Sequence, residues 1–309
     1  MTAQVHSVNI STAKGTTKKP LAEGRLDMHG LVGDAHAGPW HRQVSLLARE
    51  AMDAFGAAAG RTFADGDFAE NLTLSGLDLD HVALRDRLLV GEAELEITQI
   101  GKRCHGAGCA IQREVGACVM PKQGLFARVI RPGLVRPGDA VTYHSRPLRI
   151  AIITASDRAS AGVYEDRSGP AIQSRLEETF RASRWKLACE LSVVPDEAGP
   201  LGERVRAALA SGCDALFTTG GTGIGPRDIT PEVVRPLLDK ELPGIMERIR
   251  QQHAERLPAA LLSRSIAGVA GTSLVYCLPG SPKAVTEYLD EILRSFEHAL
   301  LMLWALDAH

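Results

Sequence analysis

The 309-residue chain carries almost no net charge, because 35 Lys and Arg residues are balanced by 37 Asp and Glu residues. This balance argues against a protein that holds nucleic acid or a membrane through bulk charge, so neither is predicted as a partner. The sequence has no apolar run near the roughly 20 residues that a membrane-spanning helix needs. Its first residues also lack the basic and then apolar segments of a secretory signal, so we expect a cytoplasmic protein.

Cysteine is scarce, with six residues, and internal repeats and low-complexity tracts are absent. In a reducing compartment the six are expected to be thiols, metal ligands or catalysts rather than disulfides. Three of them, Cys104, Cys109 and Cys118, fall within one short stretch. The remaining composition, 45% hydrophobic and 23% charged, is that of an ordinary globular protein, and the length predicts two domains.

The pattern of the sequence changes near residues 145–147, and we place the domains at residues 1–145 and 148–309. In the first domain, short strand-like runs alternate with Gly, Pro and Asp, which predicts a β-rich sandwich or barrel. One segment departs from this pattern. Residues 45–59 carry Leu47, Met52 and Phe55 at helical spacing behind Ser45, so a helix capped by Ser45 is predicted there.

In the second domain, strand-like and helical segments alternate. Apolar β runs are predicted at residues 148–154, 187–194, 214–219 and 273–278. Helices are predicted to begin at Ser168, which is the expected N-cap of its helix, and at Leu201, Thr230 and Pro282. This alternation predicts a doubly wound α/β domain with a mostly parallel sheet, whose ligands bind at the carboxyl ends of the strands.

The most informative stretch of the second domain runs from Thr218 to Glu232 and reads TTGGTGIGPRDITPE. Its four glycines allow the backbone to approach a ligand closely and to point N–H groups at an anion. No Gly-Lys-Ser/Thr follows, as a Walker loop requires, and Pro226 stands where the dinucleotide fingerprint needs its third glycine. A phosphate-binding loop of another kind is therefore predicted, the alternative being a purely structural glycine-rich turn.

This stretch and four others resemble the molybdopterin-binding family of molybdenum cofactor biosynthesis, and within it the molybdopterin adenylyltransferases. The others are Thr154–Gly162 (TASDRASAG), Asp166–Gly169 (DRSG), Val194–Glu197 (VPDE) and Leu278–Val285 (LPGSPKAV). The resemblance, which covers about residues 148–309, implies transfer of AMP from Mg-ATP to the terminal phosphate of molybdopterin. It also implies a homotrimer that works with a molybdenum-insertion protein or a molybdoenzyme.

The resemblance also assigns roles to individual residues. It implies that Asp196 and Asp228 are catalytic acids at Mg²⁺ and the reacting phosphates, which suits the preference of Mg²⁺ for carboxylate and phosphate oxygens. The residues that it implies for binding ATP and molybdopterin are Thr219, Gly220, Gly221, Thr222, Gly223, Ser281, Lys283, Asp157 and Arg158.

Each of these assignments has a structural alternative. Asp196 could begin a turn, and Asp228 could be an acid at the start of a helix. Ser281 could be an ordinary helix cap followed by a solvated lysine, and Arg158 could simply pair with Asp157. For the whole domain, the alternative is a carrier that binds molybdopterin without catalysis.

Residues 7–143 resemble a MOSC domain, the module at the carboxyl end of molybdenum cofactor sulfurases. The resemblance is carried by Gly30–Gly38 (GLVGDAHAG), His41–Leu47 (HRQVSLL), Phe68–Thr73 (FAENLT) and Val90–Gln99 (VGEAELEITQ), followed by Cys104. It implies a β-rich barrel that binds the cofactor, with Cys104 carrying or handling sulfur. At the level of the family it also implies pyridoxal phosphate binding.

The same resemblance implies that Arg42 and Asn71 contact the phosphate of an anionic pterin. His36 and His41 flank Asp34 and could bind metal or phosphate, or could be structural histidines.

Three chemical roles remain open for Cys104. It could be a nucleophilic thiolate, because the basic residues at 102 and 103 and His105 would lower the pKa of its thiol. It could instead bind Zn²⁺ with His105, Cys109 and Cys118, although Cys-x₄-Cys-x₈-Cys matches the known zinc spacings poorly. Finally, these cysteines could be buried and act as small hydrophobic residues.

Overall fold

A computed structural model of the protein describes residues 3–102 and 118–306. The chain forms two compact units, Met1–Arg146 and Pro147–His309, so the predicted two-domain architecture is confirmed. Within the described ranges, no helix has both the length and the apolar character needed to cross a bilayer.

The amino-terminal unit is rich in β structure. Its strands are β1 (Gln4–Ile10), β2 (Lys19–Leu21), β3 (Gly24–Asp27), β4 (Gly30–Leu31), β5 (Val44–Ala48), β6 (Leu72–Ser75), β7 (Arg87–Val90), β8 (Ala93–Ile100), β9 (Leu125–Arg131), β10 (Gly133–Val135) and β11 (Val141–His144). Its helices in the described ranges are α1 (Arg49–Ala59), α2 (Met120–Gln123) and a 3₁₀ turn at Leu79–His81. Eight strands form one sheet in the order β11-β7-β8-β9-β5-β6-β1-β2, and β10-β3-β4 form a second.

Most apolar side chains of the larger sheet pack into one core, and Leu47 and Phe126 belong to a second cluster, but closure of the sheet into a barrel is not confirmed. An isolated bridge joins Gln4 to Ala140, and the N–H of Val5 donates to the carbonyl of Asp139 (2.9 Å). These contacts connect β1 to the segment that enters β11. In the described part of the chain they do not form a continuous strand ladder.

The prediction of a helix over residues 45–59 is wrong for its first turn. Residues Val44–Ala48 form β5, which pairs in parallel with β6 and antiparallel with β9, and the helix begins only at Arg49. All five residues of β5 are buried, so a central position in the sheet satisfies this segment better than an exposed helix would. The hydroxyl of Ser45 therefore caps no helix and donates to the carbonyl of Ala69 (3.2 Å).

The carboxyl-terminal unit is an α/β domain. Its strands are β12 (Leu148–Ala155), β13 (Leu187–Val194), β14 (Ala215–Thr219), β15 (Lys240–Glu241), β16 (Ala267–Ala270) and β17 (Ser273–Leu278). Its helices in the described ranges are α3 (Asp157–Ser160), α4 (Ser168–Phe180), α5 (Ala198–Ala210), α6 (Thr230–Val234), α7 (Pro243–Ala254) and α8 (Pro282–Leu303), with 3₁₀ turns at Arg235–Leu237 and Pro258–Leu262.

The sheet of this unit has the order β13-β12-β14-β17-β16-β15. The first four strands are parallel, and β16 and β15 continue the sheet antiparallel, so the sheet is mixed but mostly parallel, as predicted. The chain passes from β12 to β13 on one side and returns to β14 on the other. The strand order therefore reverses at β12, and the loops after β12 and β14 lie side by side at the carboxyl edge of the sheet.

The residue that caps the start of α4 is not Ser168, as the sequence predicted. The carboxylate of Asp166 accepts hydrogen bonds from the N–H groups of Ser168 (2.9 Å) and Gly169 (3.2 Å), so Asp166 provides the cap. The hydroxyl of Ser168 instead donates to the carbonyl of Gly280 (2.6 Å). This bond ties the start of α4 to the turn between β17 and α8.

Candidate functional site

The glycine loop, residues 220–229, begins where β14 ends. Gly220 and Gly221 have φ values of +98° and +61°, and a Cβ atom on Gly220 would lie 2.2 Å from the carbonyl oxygen of Ala155. The hydroxyl of Thr230 donates to the carbonyl of Gly220 (2.8 Å), and its N–H donates to that of Gly221 (3.0 Å). Only glycine can occupy position 220 without moving the neighbouring strand, so the loop path depends on this residue.

The other predicted loop residues extend this path. Thr219 is buried, and its hydroxyl donates to the carbonyl of Pro279 (2.7 Å). Thr222 is also buried, and a Cβ atom on Gly223 would lie 2.7 Å from the carboxylate of Asp228. These contacts bring the two limbs of the loop together around Asp228.

Three acids gather at the loop. Asp157 and Asp196 exchange hydrogen bonds, since the N–H of each donates to the carboxylate of the other (3.0 and 2.9 Å). Asp228 accepts the N–H of Gly225 (2.7 Å). Burial and the negative charges of Asp157 and Asp228 raise the pKa of Asp196. The two acids predicted at the reacting phosphates are therefore close enough to influence each other electrostatically.

Arg227 is the residue that neutralises part of this negative charge. Its guanidinium donates three hydrogen bonds to the oxygens of Asp157 (3.0, 2.6 and 2.5 Å), which holds the pKa of Asp157 below its ordinary value. Arg158, the partner suggested by sequence adjacency, lies over the ring of Tyr164 at 4.8 Å. The partner of Asp157 is thus 70 positions away in the sequence, and sequence reasoning missed it.

Two cavities flank the glycine loop. One has a volume of about 360 Å³ and is lined by Thr154, Asp166, Ser168 and Thr219, among others. The other, of about 450 Å³, lies against residues 221–224 and is lined on its far side by α7, the turn after it and α8. Gly280 lines both cavities, so two ligands could reach the same loop from different sides.

Ser281 and Lys283 lie at the start of α8. The hydroxyl of Ser281 accepts the N–H of Ala284 (3.3 Å), so this serine is a helix cap, as its structural alternative proposed. Lys283 is exposed in the first turn. A Cβ atom on Gly280 would lie 3.2 Å from the Cα of Gly220, so this turn runs directly against the glycine loop.

Arg264 is a second residue that sequence reasoning missed. It follows the 3₁₀ turn Pro258–Leu262 and belongs to none of the quoted motifs, so no pattern pointed to it. Its guanidinium donates to the carbonyls of Gly223 (2.6 Å) and Asp228 and pairs with Glu232. These bonds connect Arg264 to both limbs of the glycine loop.

The carboxylates at the loop suit Mg²⁺ that is bound together with a nucleotide. In residues 3–102 and 118–306, no group of three or more His, Cys, Asp or Glu side chains could by itself hold a metal ion. Mg²⁺ is commonly bound by one or two carboxylates together with waters and substrate phosphates. The raised pKa of Asp196 reflects burial and unbalanced negative charge, which a divalent cation would offset.

In the amino-terminal unit, the aspartate of the first MOSC-like motif is a structural anchor. The ammonium of Lys18 lies 2.5 Å from the carboxylate of Asp34, and both side chains are fully buried. Asp34 also accepts the N–H groups of Ser11 (3.0 Å) and His36 (2.9 Å). His36 itself lies with its Nδ1 3.6 Å from Asp34.

The two predicted contacts to a pterin phosphate differ in their surroundings. The side chain of Asn71 is buried and bonded to the protein, because its oxygen accepts from Ser45 (3.0 Å) and its nitrogen donates to the carbonyl of Asn9 (3.3 Å). Arg42 lies over Trp40 (4.7 Å), and its Nε is buried with no hydrogen-bond partner among the described residues. Arg42 therefore has a buried donor that no described residue engages, whereas Asn71 acts as a brace between strands.

His41 lies next to this arginine. Its Nδ1 is buried and, within the described ranges, has no partner. Burial and the positive charges of Arg42 and Arg128 lower its pKa. The lowered pKa favours the neutral form of His41, and the guanidinium of Arg128 pairs with the carboxylate of Glu96 (2.5 Å), so Arg42 is the cation of this group that no described carboxylate pairs with.

Cys104, His105 and Cys109 lie outside the described residues, so the thiolate and zinc hypotheses are not tested there. Cys118 is described and is half-buried against a cluster that includes Phe55, Phe63 and Phe68.

Comparisons with known proteins match each unit separately. A family described as "Probable molybdopterin binding domain" matches residues 151–298, and the MOSC domain family matches residues 33–142. A molybdopterin adenylyltransferase of Haemophilus influenzae is 38% identical over 146 residues, which are 47% of this chain and 73% of that protein. One of Helicobacter pylori is 38% identical over 154 residues, which are 50% of this chain and 86% of that protein. A solved structure of a molybdopterin biosynthesis Mog protein from Mycobacterium ulcerans is 37% identical over 52% of this chain and 99% of its own, with a TM-score of 0.47.

Proposed function

The chain belongs, through its carboxyl-terminal half, to the family of molybdopterin adenylyltransferases, and we propose that this half transfers AMP from ATP to the terminal phosphate of molybdopterin. In this reaction a phosphate oxygen of molybdopterin attacks the α-phosphorus of ATP, and the bond to the β-phosphate breaks to release pyrophosphate. The observation that carries the proposal is the glycine loop at the reversal of strand order, with Asp196 and Asp228 beside it.

Catalysis of this step depends on positioning and charge neutralisation, because two anionic groups must approach each other. The glycine loop lets phosphates come close to the backbone, and we propose that the two cavities beside it receive the two substrates. Asp196 and Asp228 would hold Mg²⁺, which supplies positive charge at the phosphates when it is bound. The ion pair with Arg227 keeps Asp157 ionised. Asp157 in turn keeps Asp196 in place, because the backbone N–H of each residue donates to the carboxylate of the other.

The alternative is a carrier that binds molybdopterin without adenylylating it. A carrier for an anion gains nothing from carboxylates beside its phosphate-binding loop, because they repel the ligand unless a cation lies between them. The proximity of three acids to the glycine loop therefore favours the enzyme.

The proposal is tested by mixing the unmodified protein with ATP, molybdopterin and Mg²⁺. We expect stoichiometric formation of pyrophosphate and adenylylated pterin, and no product when EDTA removes the metal. Binding of molybdopterin with no turnover at any Mg²⁺ concentration would support the carrier instead. A protein that binds neither substrate would contradict both functions.

For the amino-terminal unit, we propose that it binds the same cofactor and handles sulfur through Cys104. The guanidinium of Arg42, whose buried Nε is engaged by no described residue, supports the binding part, since it suits an anionic ligand. The MOSC domain family matches residues 33–142, and this match supports placing cofactor binding in the amino-terminal unit. We also propose that the protein is a homotrimer and passes its product to a molybdenum-insertion protein or a molybdoenzyme.

If Cys104 is a working thiolate, iodoacetamide at pH 7 is expected to modify it before Cys189, Cys213 and Cys277. Burial raises the pKa of all three, to about 11 for Cys189 and about 12 for Cys277, so they remain protonated thiols. Peptide mass spectrometry gives the order of labelling, and bound molybdopterin is expected to protect Cys104.

The two other hypotheses for Cys104 give different labelling patterns. A zinc site would protect Cys104, Cys109 and Cys118 together until a chelator releases them. Labelling of Cys104 no faster than that of Cys277, with or without chelator, would contradict sulfur handling by this residue.

A further inference from the structure

The side chain of Arg264 braces the glycine loop from its outer side. Its Nε donates to the carbonyl of Gly223 (2.6 Å), one Nη donates to the carbonyl of Asp228, and the other pairs with the carboxylate of Glu232. Its backbone N–H donates to the carbonyl of Thr222 (2.9 Å). A single residue therefore ties the outgoing limb of the loop to the returning limb and to helix α6.

Arg264 reaches the loop from outside the ligand cavity. Together with Met246 and Arg250 it lines a separate cavity of about 370 Å³, and it is not among the residues that line the 450 Å³ cavity beside the loop. The loop carbonyls that bond to Arg264 are engaged there and are not presented to a phosphate in the ligand cavity. Arg264 thus influences a ligand through the shape of the loop rather than through direct contact.

We propose that Arg264 is a positioning residue for adenylyl transfer, because it holds Asp228 and the glycine backbone in the arrangement that receives the phosphates. This inference rests on the proposed function. A guanidinium suits the role, since its planar fork can bond several acceptors at fixed angles, which the ammonium of lysine cannot do. A displacement of about 1 Å at a catalytic group can lower the rate by about 100-fold.

The first test compares Arg264→Ala and Arg264→Lys with the unmodified protein in the pyrophosphate-release assay. We expect kcat to fall by about 30- to 100-fold in the alanine variant, with the Kd for molybdopterin changed by less than about threefold. The lysine variant keeps the charge but loses the fork, so we expect it to remain impaired by at least about tenfold. Guanidinium ion added at low millimolar concentration is expected to restore part of the activity of Arg264→Ala.

Arg250→Ala is the matched control. The guanidinium of Arg250 donates to the carbonyls of Ser263 (3.4 Å) and Ser265 (3.2 Å), so it supports the same segment without touching the loop. Its kcat is expected to stay within about twofold of the unmodified value, because no loop contact is lost. Full activity of Arg264→Lys would show that charge alone matters, and unchanged kcat in Arg264→Ala would show that the brace is not needed. Either result would overturn the inference.

A second measurement does not depend on turnover. Hydrogen exchange of the amides at residues 220–229 is expected to be at least about tenfold faster in Arg264→Ala and unchanged in Arg250→Ala. If the unmodified protein binds molybdopterin but makes no adenylylated product, the proposed function fails, and exchange still decides whether Arg264 braces the loop. Unchanged exchange in Arg264→Ala overturns the inference whatever the activity.

Discussion

Replacing Asp228 with alanine is expected to lower the rate of pyrophosphate release by about 100- to 1,000-fold while the Kd for molybdopterin changes by less than about threefold. The reason is that Asp228 acts where charge is redistributed as the α-phosphorus is attacked, and such interactions matter most in the transition state. Asp196→Ala is expected to behave in the same way, since the two acids lie close enough for the charge of one to raise the pKa of the other. The measurement is kcat and KM for ATP beside equilibrium binding of molybdopterin.

Asp228→Asn separates the charge of this residue from its structural role. An asparagine can still accept the N–H of Gly225, which Asp228 does at 2.7 Å, but it carries no negative charge. We expect this variant to be nearly as inactive as the alanine variant and to need more Mg²⁺ for half-maximal activity.

Asp239→Ala is the matched control for the Asp228 variants. The carboxylate of Asp239 accepts the N–H of Gly271 (2.6 Å) in a turn that lines neither cavity, so turnover should not change. Normal pyrophosphate release in Asp228→Ala, together with a collapse of molybdopterin binding, would make Asp228 a binding residue and refute the catalytic role.

Asp34→Ala is expected to lower the free energy of unfolding of the amino-terminal unit by about 3–5 kcal/mol. The substitution leaves the fully buried ammonium of Lys18 without its partner at 2.5 Å, and it leaves the N–H groups of Ser11 and His36 without acceptors. Urea unfolding measures the change, with hydrogen exchange of the amides in β1 and β6 as the probe of this unit. Glu23→Ala removes an ion pair in the same unit whose side chains are 48% and 45% exposed, so its cost should stay below about 1 kcal/mol.

The same pair predicts how the stability of this unit changes with pH. Burial alone would raise the pKa of Asp34, but hydrogen bonds from His36 and Lys18 outweigh it and hold the pKa far below the ordinary value. A carboxyl group with a lowered pKa in the folded state stabilises the fold above its unfolded pKa of about 3.9, and this stabilisation is lost as the pH falls further. The free energy of unfolding of the amino-terminal unit should therefore fall below about pH 4. In the Asp34→Asn variant this decrease with falling pH should be less steep than in the unmodified protein. An identical acid dependence in this variant would show that Asp34 is not the responsible group.

Several features of the carboxyl-terminal unit could be predicted from the sequence because they depend on local chemistry. Apolar runs predicted β12, β13, β14 and β17, which are strands of a mostly parallel sheet. Of these, β12, β14 and β17 are almost wholly buried, whereas β13 is an edge strand on which Leu191 and Val193 are exposed. The glycines at positions 220 and 221 indicated a backbone conformation that other residues avoid, and both have positive φ. The same local reasoning failed for Val44–Ala48, because helical spacing and continuous burial cannot be distinguished over so few residues.

The sequence by itself determined the two-domain order, the strand and helix alternation, and the glycine loop with its acids. Only the tertiary structure decided which charged groups meet, because ion pairs between distant residues depend on how the strands are arranged. Arg227 and Asp157 are separated by 70 positions, and Arg264 reaches Gly223 across 41, yet both contacts form where the strand order reverses. Sequence adjacency favoured Arg158 as the partner of Asp157, but the carboxyl edge of the sheet brings the loop after β14 against the loop after β12, and Arg227 lies there.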